Sequence, residues 1–137
     1  PGTAEDAEDP LARNGDTTIA YQVIGDGLLA LVSSHAWFSH IEVGWEEPRY
    51  AGFLRRLAAG RRLLLFDRRG MGMSDPAPPS VGLAERAEDI RAVLDAAGSA
   101  RAVVFGSCGS GPMALSLAAG TPIAAPDYLL RWSTLKA

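Results

Sequence analysis

One cysteine, one lysine and two histidines in 137 residues leave little room for several kinds of chemistry. A single thiol, Cys108, rules out an internal disulfide framework and any cysteine-cluster metal site, and it suits a reducing compartment. Lys136 is the only lysine, so positive charge rests on arginines, many in pairs such as Arg55-Arg56, Arg61-Arg62 and Arg68-Arg69, and the net charge is -3. That balance offers no basic field for nucleic acid or anionic lipid, so neither is expected as a partner. The arginines are expected on solvated faces and in loop hydrogen bonds. No apolar stretch approaches the ~20 residues needed to span a bilayer, and no basic start leads into an apolar signal core, so a soluble, cytoplasmic protein is the expectation. The hydrophobic content of 47% nevertheless suffices for one domain with a real core.

The richest segment is Gly106-Ser107-Cys108-Gly109-Ser110-Gly111. Residues 102–105 ahead of it form the short apolar run of a strand buried on both faces of a parallel sheet. Behind it, Pro112 suits a first helical turn, and Met113, Ala114, Leu115, Leu117 and Ala118 read as helix. Strand, glycine-dense turn and helix together raise one side chain beside a helix N-terminus, the arrangement of a nucleophile elbow. Register selects Cys108. Its upstream flank is Gly106 and its downstream flank is Ser110, small though not glycine, whereas Ser107 would need a glycine at Phe105 and Ser110 would need glycines at Cys108 and Pro112. A thiolate is a strong nucleophile, and a helix N-terminus lowers its pKa. The competing reading is an inert, buried cysteine.

Gly106 and Gly111 also have the spacing of a phosphate-cradling loop, but Pro112 and Met113 stand where its lysine and hydroxyl belong, so anion or nucleotide binding is the weaker reading. Gly25-Asp26-Gly27 and Gly70-Met71-Gly72 are poorer still as dinucleotide signatures, since the first leads into a strand and the second finds Asp75 at the third glycine position.

Along the chain, residues 1–12 read as a mobile acidic tail, 13–120 as the domain and 121–137 as an atypical C-terminal tail. Strands are expected at 17–24 and 28–32, forming a meander, with later strands at 63–66 and 102–105. Residues 48–59 have helical spacing with Phe53, Leu54 and Leu57 as the apolar face. Residues 83–97 form the clearest helix, burying Leu83, Ala87, Ile90, Val93 and Leu94 and exposing Glu85, Arg86, Glu88, Asp89 and Arg91. Alternating strands and helices imply a mostly parallel sheet. The fold class is therefore α/β, an antiparallel meander followed by parallel strands with crossover helices.

The order of these motifs resembles the N-terminal half of the α/β-hydrolase fold superfamily over residues 15–119. His35-Ala36-Trp37 is similar to the family's His-Gly-x loop after the third strand. Asp67, Gly70, Gly72 and Ser74 match its Asp-x-x-Gly-x-Gly-x-Ser loop, and the elbow follows. Trp45-Glu46-Glu47-Pro48-Arg49-Tyr50 and Phe66-Asp67-Arg68-Arg69-Gly70 resemble runs in hydrolase-like domains found beside class III nucleotide cyclases, and the elbow cysteine is similar to that of dienelactone hydrolases.

The resemblance implies an ester, lactone or thioester hydrolase with Cys108 as nucleophile and the backbone amides of Gly109 and Trp37 as the oxyanion hole. It calls for no cofactor and no metal, and implies a small-molecule substrate. His35, His40, Asp67 and Ser74 are expected to brace loops rather than act on substrate. The family's acid and histidine follow the elbow, yet both histidines here precede it and Asp127 is the only carboxylate side chain beyond it. The sheet is thus expected to be incomplete and the chain weak or inactive alone. The alternative is an interaction or oligomerisation module, pairing with a second copy or a complementing chain through an open sheet edge.

Overall fold

The computed structural model describes residues 9–34, 39–120 and 128–132. Six strands form one sheet: β1 (Leu11–Asn14), β2 (Thr17–Ile24), β3 (Ala30–Ser33), β4 (Arg62–Phe66), β5 (Ala102–Gly106) and β6 (Tyr128–Trp132), in the spatial order β1-β2-β4-β3-β5-β6. Three helices accompany them: α1 (Pro48–Ala58), α2 (Leu83–Ala96) and α3 (Gly111–Gly120). The β1-β2 and β2-β4 pairs are antiparallel, while β4-β3, β3-β5 and β5-β6 are parallel. The expected antiparallel start and parallel continuation are both present. One detail differs: β2 and β3 do not pair, because β4 lies between them.

Side-chain alternation divides the core in two. Ile19, Tyr21, Val32, Leu64, Phe66 and Val104 point to one face, where Ile90, Val93 and Leu94 of α2 and Met113 and Leu117 of α3 cover them. Ala20, Leu31, Leu63 and Leu65 point to the other, where Leu54 of α1 meets them. β3 and β4 are covered on both sides, which is why they read as unbroken apolar runs in the sequence. Each fully buried Leu contributes roughly 1.5–3 kcal/mol through area removed from water.

The helix boundaries follow local chemistry. The Glu47 carboxylate caps α1 by accepting from the Arg49 and Tyr50 amides, at 3.1 and 2.6 Å, and Pro48 fills the first turn. The Glu85 carboxylate accepts from the Gly82 amide at the start of α2. Gly60 and Gly98, both at positive φ, follow the ends of α1 and α2. Gly25 and Gly27 have a different duty: a Cβ on either would stand 2.4–2.5 Å from backbone atoms of Gly60 and Arg61, so glycine permits the link before β3 to lie against the turn before β4.

Several expectations are corrected. Leu11 and Ala12, read as tail, belong to β1, and Ala12 is buried. Residues 128–132, also read as tail, pair in parallel with β5. In α1, Ala51 and Leu54 are buried while Phe53 is 42% exposed. In α2, Leu83 is exposed, and Asp89, assigned to the solvent side, is fully buried. Its carboxylate takes two hydrogen bonds from Arg69, at 2.6 and 2.7 Å, and a third from Asn14 Nδ2 at 2.8 Å. Arg68 and Arg69 are likewise buried rather than solvated. The hydrogen bond to Asp89 raises the Arg69 pKa, with burial opposing it and the charge of Asp89 adding to it.

Candidate active site at the carboxyl ends of the parallel strands

In the sheet order, the connection leaving β3 leads through α1 to β4 on one side, while that leaving β5 leads through α3 to β6 on the other. Adjacent parallel strands whose connections diverge open a crevice at their carboxyl ends, the usual ligand position in open α/β sheets. β3 and β5 are such a pair here. Residues 107–111 leave β5 at that crevice.

After β5 a strand end, a short turn and a helix follow one another in the expected order. β5 ends at Gly106, one helical turn of 3-10 type covers Cys108–Ser110, and α3 begins at Gly111. Gly106 is dictated by proximity. A Cβ there would stand 2.9 Å from the Gly111 Cα, 3.0 Å from the Ser110 carbonyl oxygen and 3.1 Å from the Ala114 Cβ. Ser110, at the downstream position, is buried, and its hydroxyl ties the turn together. It accepts from the Ser107 amide at 2.9 Å, and its single proton has the Ser107 carbonyl at 2.9 Å and the Ser34 carbonyl at 3.5 Å within reach. The Ser107 carbonyl also accepts from the Ser110 amide at 3.0 Å. A glycine would supply none of the side-chain bonds, so serine here substitutes bracing for smallness. Gly109, the expected oxyanion donor, is exposed at the turn. The Cys108 side chain, and His35 and Trp37 altogether, lie outside the described residues.

The loop after β4 behaves as a brace. Asp67 is fully buried, and its Oδ2 accepts from the amides of Ile41 and Met73, at 3.2 and 2.9 Å. Gly72, at φ +49°, passes so close that a Cβ would stand 2.0 Å from that oxygen. The Ser74 hydroxyl donates to the Asp67 carbonyl at 2.6 Å and accepts from the Ala20 amide at 2.9 Å, while Asp75 Oδ2 accepts from the Thr18 amide at 2.7 Å. The loop is thereby fastened to β2. His40 Nδ1 accepts from the Val43 amide at 3.4 Å, a local turn contact.

Sequence reasoning did not find the cavity of about 640 Å³ next to this loop, lined by His40, Val43, Tyr50, Phe66 and Asp67 among others. Its walls come from residues 39–50 and 65–67, which touch only once the chain has folded. A methyl on Gly44 would lie 2.9 Å from the Tyr50 ring, so this glycine leaves room for the aromatic wall. Burial pushes the Tyr50 phenol up to about 12, and the charge of Asp67 adds to the shift. Among the described residues, no group of three His, Cys, Asp or Glu side chains is placed to hold a metal ion, and no helix is long and apolar enough to cross a membrane.

Comparison with known proteins agrees with this anatomy. Residues 27–127 match the family model described as alpha/beta hydrolase fold. The chain is 33% identical over 115 residues to "Putative carbamate hydrolase RutD" of Azorhizobium caulinodans, a match covering 82% of this chain and 40% of that protein. It is similar to the crystal structure of a hydrolase from Pseudomonas aeruginosa, with 25% identity, TM-score 0.73, and coverage of 93% of this chain and 45% of the other. It is also similar to Est816, described as an N-acyl homoserine lactone degrading enzyme, with 26% identity, TM-score 0.67, and coverage of 88% and 44%. The chain thus spans less than half the length of each of these proteins.

Proposed function

Because the chain belongs to the alpha/beta hydrolase fold family, we propose that it is a hydrolase-type domain for an ester, lactone or thioester carbonyl, with Cys108 as nucleophile and the amides of Gly109 and Trp37 as oxyanion donors. The observation that carries this reading is the turn itself: Gly106 wedged against Gly111 and Ser110 bonded back to Ser107 hold Cys108 between a strand end and a helix start. The thiolate sulfur adds to the carbonyl carbon, and the carbonyl electron pair moves to oxygen, where each backbone donor is worth ~3 kcal/mol. Collapse expels the alkoxide or thiolate, which takes a proton from water, and a second water cleaves the acyl thioester to release the acid and regenerate the thiol. A relative described as a carbamate hydrolase and a neighbour described as a lactone-degrading enzyme support carbonyl hydrolysis as the class.

No histidine follows Cys108 in this sequence, so the thiol has only the helix N-terminus for activation and the chain alone turns over slowly. Alkylation of native protein by iodoacetamide across pH tests the site directly. A midpoint clearly below the ~8.5 of a free thiol is expected, as is loss of any p-nitrophenyl acetate turnover in Cys108→Ala. An inaccessible thiol, or full turnover in Cys108→Ala, contradicts the assignment.

One observation favours a second reading, an interaction module. Among the described residues β6 ends the sheet order with β5 as its single neighbour, so its outer edge can pair with another chain. Sedimentation would then show mass rising with concentration, whereas a monodisperse monomer at high concentration argues against it.

A further inference from the structure

We propose that the cavity at the carboxyl end of β4 takes an uncharged organic ligand and turns away its carboxylate counterpart, with the buried Asp67 as the selecting charge. The inference goes beyond the hydrolase reading, because no described residue of the turn after β5 lines this cavity; its test reads binding rather than turnover, so the two can fail separately.

The cavity's size, about 640 Å³, falls within the range of small-molecule sites. Its walls are largely apolar, with Ile41, Leu65 and Phe66 buried behind it. Asp67 lines it and is 0% exposed. Its Oδ2 is held by the Ile41 and Met73 amides, while Oδ1 has no hydrogen-bond partner, and among the described residues Asp67 forms no ion pair. A buried carboxylate without a counter-cation projects its charge through poorly screening surroundings, so it acts on a ligand without touching it.

The other ionisable groups at the cavity are exposed or partly exposed, whereas Asp67 is fully buried. Glu47, whose oxygens cap α1, is exposed, so water and salt screen its charge. Arg49 is exposed, where water and salt screen it. His40 sits at the wall with Nδ1 engaged by Val43. Two neighbouring groups register the field. Tyr50 is held in its neutral form by burial and then by Asp67, and the Asp9 carboxyl is raised by burial and by Glu42 and Asp67, against a lowering hydrogen bond from Gln22 and the charge of His40.

The test uses wild-type protein and three matched probes: acetophenone (neutral), benzoate (anionic) and benzylammonium (cationic), each titrated with backbone-amide NMR. Acetophenone is expected to shift the amides of Gly44, Tyr50 and Asp67 and to bind at least about tenfold more tightly than benzoate, a factor equal to about 1.4 kcal/mol. Benzylammonium should bind no more weakly than acetophenone. Asp67→Asn, checked for retained amide dispersion, should close the gap between acetophenone and benzoate, and should it fail to fold, the wild-type comparison decides alone. Equal or tighter binding of benzoate, rejection of benzylammonium, shifts confined to other surfaces, or no shifts with saturating acetophenone would each overturn the proposal.

Discussion

The single residue whose role departs furthest from its sequence reading is Asp89. On a helical wheel it belongs with the charged face of α2, yet it is buried against Arg69, with Asn14 of β1 completing the set. Helical spacing cannot report a partner 20 residues upstream on a loop. Removing one member of a buried pair strands the other charge, which costs roughly 3–5 kcal/mol. Asp89→Ala is therefore expected to lower stability by about that much in urea denaturation, and Asn14→Ala by roughly 1.5–3 kcal/mol, chiefly for the loss of its hydrogen bond to the charged Asp89 beside a longer one to the Glu85 carbonyl. Tyr50 supplies a residue-scale pH dependence. Its pKa is raised from 10.0 to about 12, so the folded state holds the phenolic proton more firmly than the unfolded state. That contribution is fully present below pH 10 and is lost as pH rises toward 12. Stability of wild type should fall more steeply than that of Tyr50→Phe across this window, as read by parallel denaturation curves.

At the scale of elements, the junction of β5 and α3 depends on how closely they approach. Gly106→Ala places a methyl against the Gly111 backbone, which cannot swing aside as a flexible side chain would. The N-terminus of α3 must move, so the variant is expected to lose roughly 1–3 kcal/mol, the usual cost of overpacking. Cys108 alkylation in the same variant should also shift toward ordinary thiol behaviour. This junction was legible in advance because an apolar run, a glycine cluster and a helix lie consecutively in the sequence. The strands 17–24, 63–66 and 102–105 were legible for the same reason, being set by local alternation or continuous apolar character. Other features were not. β1 is four residues long, and its strand character comes from pairing with β2 and from α2 lying against Ala12. β6 follows two prolines but acquires its ladder from β5. The cavity wall joins residues from α1, the turn before it and the end of β4, a juxtaposition no linear pattern carries.

Considered whole, the molecule is organised around β4. That strand pairs antiparallel with β2 and parallel with β3, and it contributes Leu64 and Phe66 to one core and Leu63 and Leu65 to the other. A cavity at its centre should therefore be felt on both faces. Leu64→Ala is expected to cost roughly 2–5 kcal/mol, with hydrogen exchange accelerating together in β2, β3 and β4. Acceleration confined to α2 and α3 would show that the two cores open independently. The position of β4 also bears on how the polypeptide acquires its shape during synthesis. The hairpin of β1 and β2 is synthesised before β3, yet neither β2 nor β3 can find the neighbour between them until residue 66 has been made. Through that interval the edges of β2 and β3 that will meet β4 wait unsatisfied, which exposes the nascent chain to aggregation.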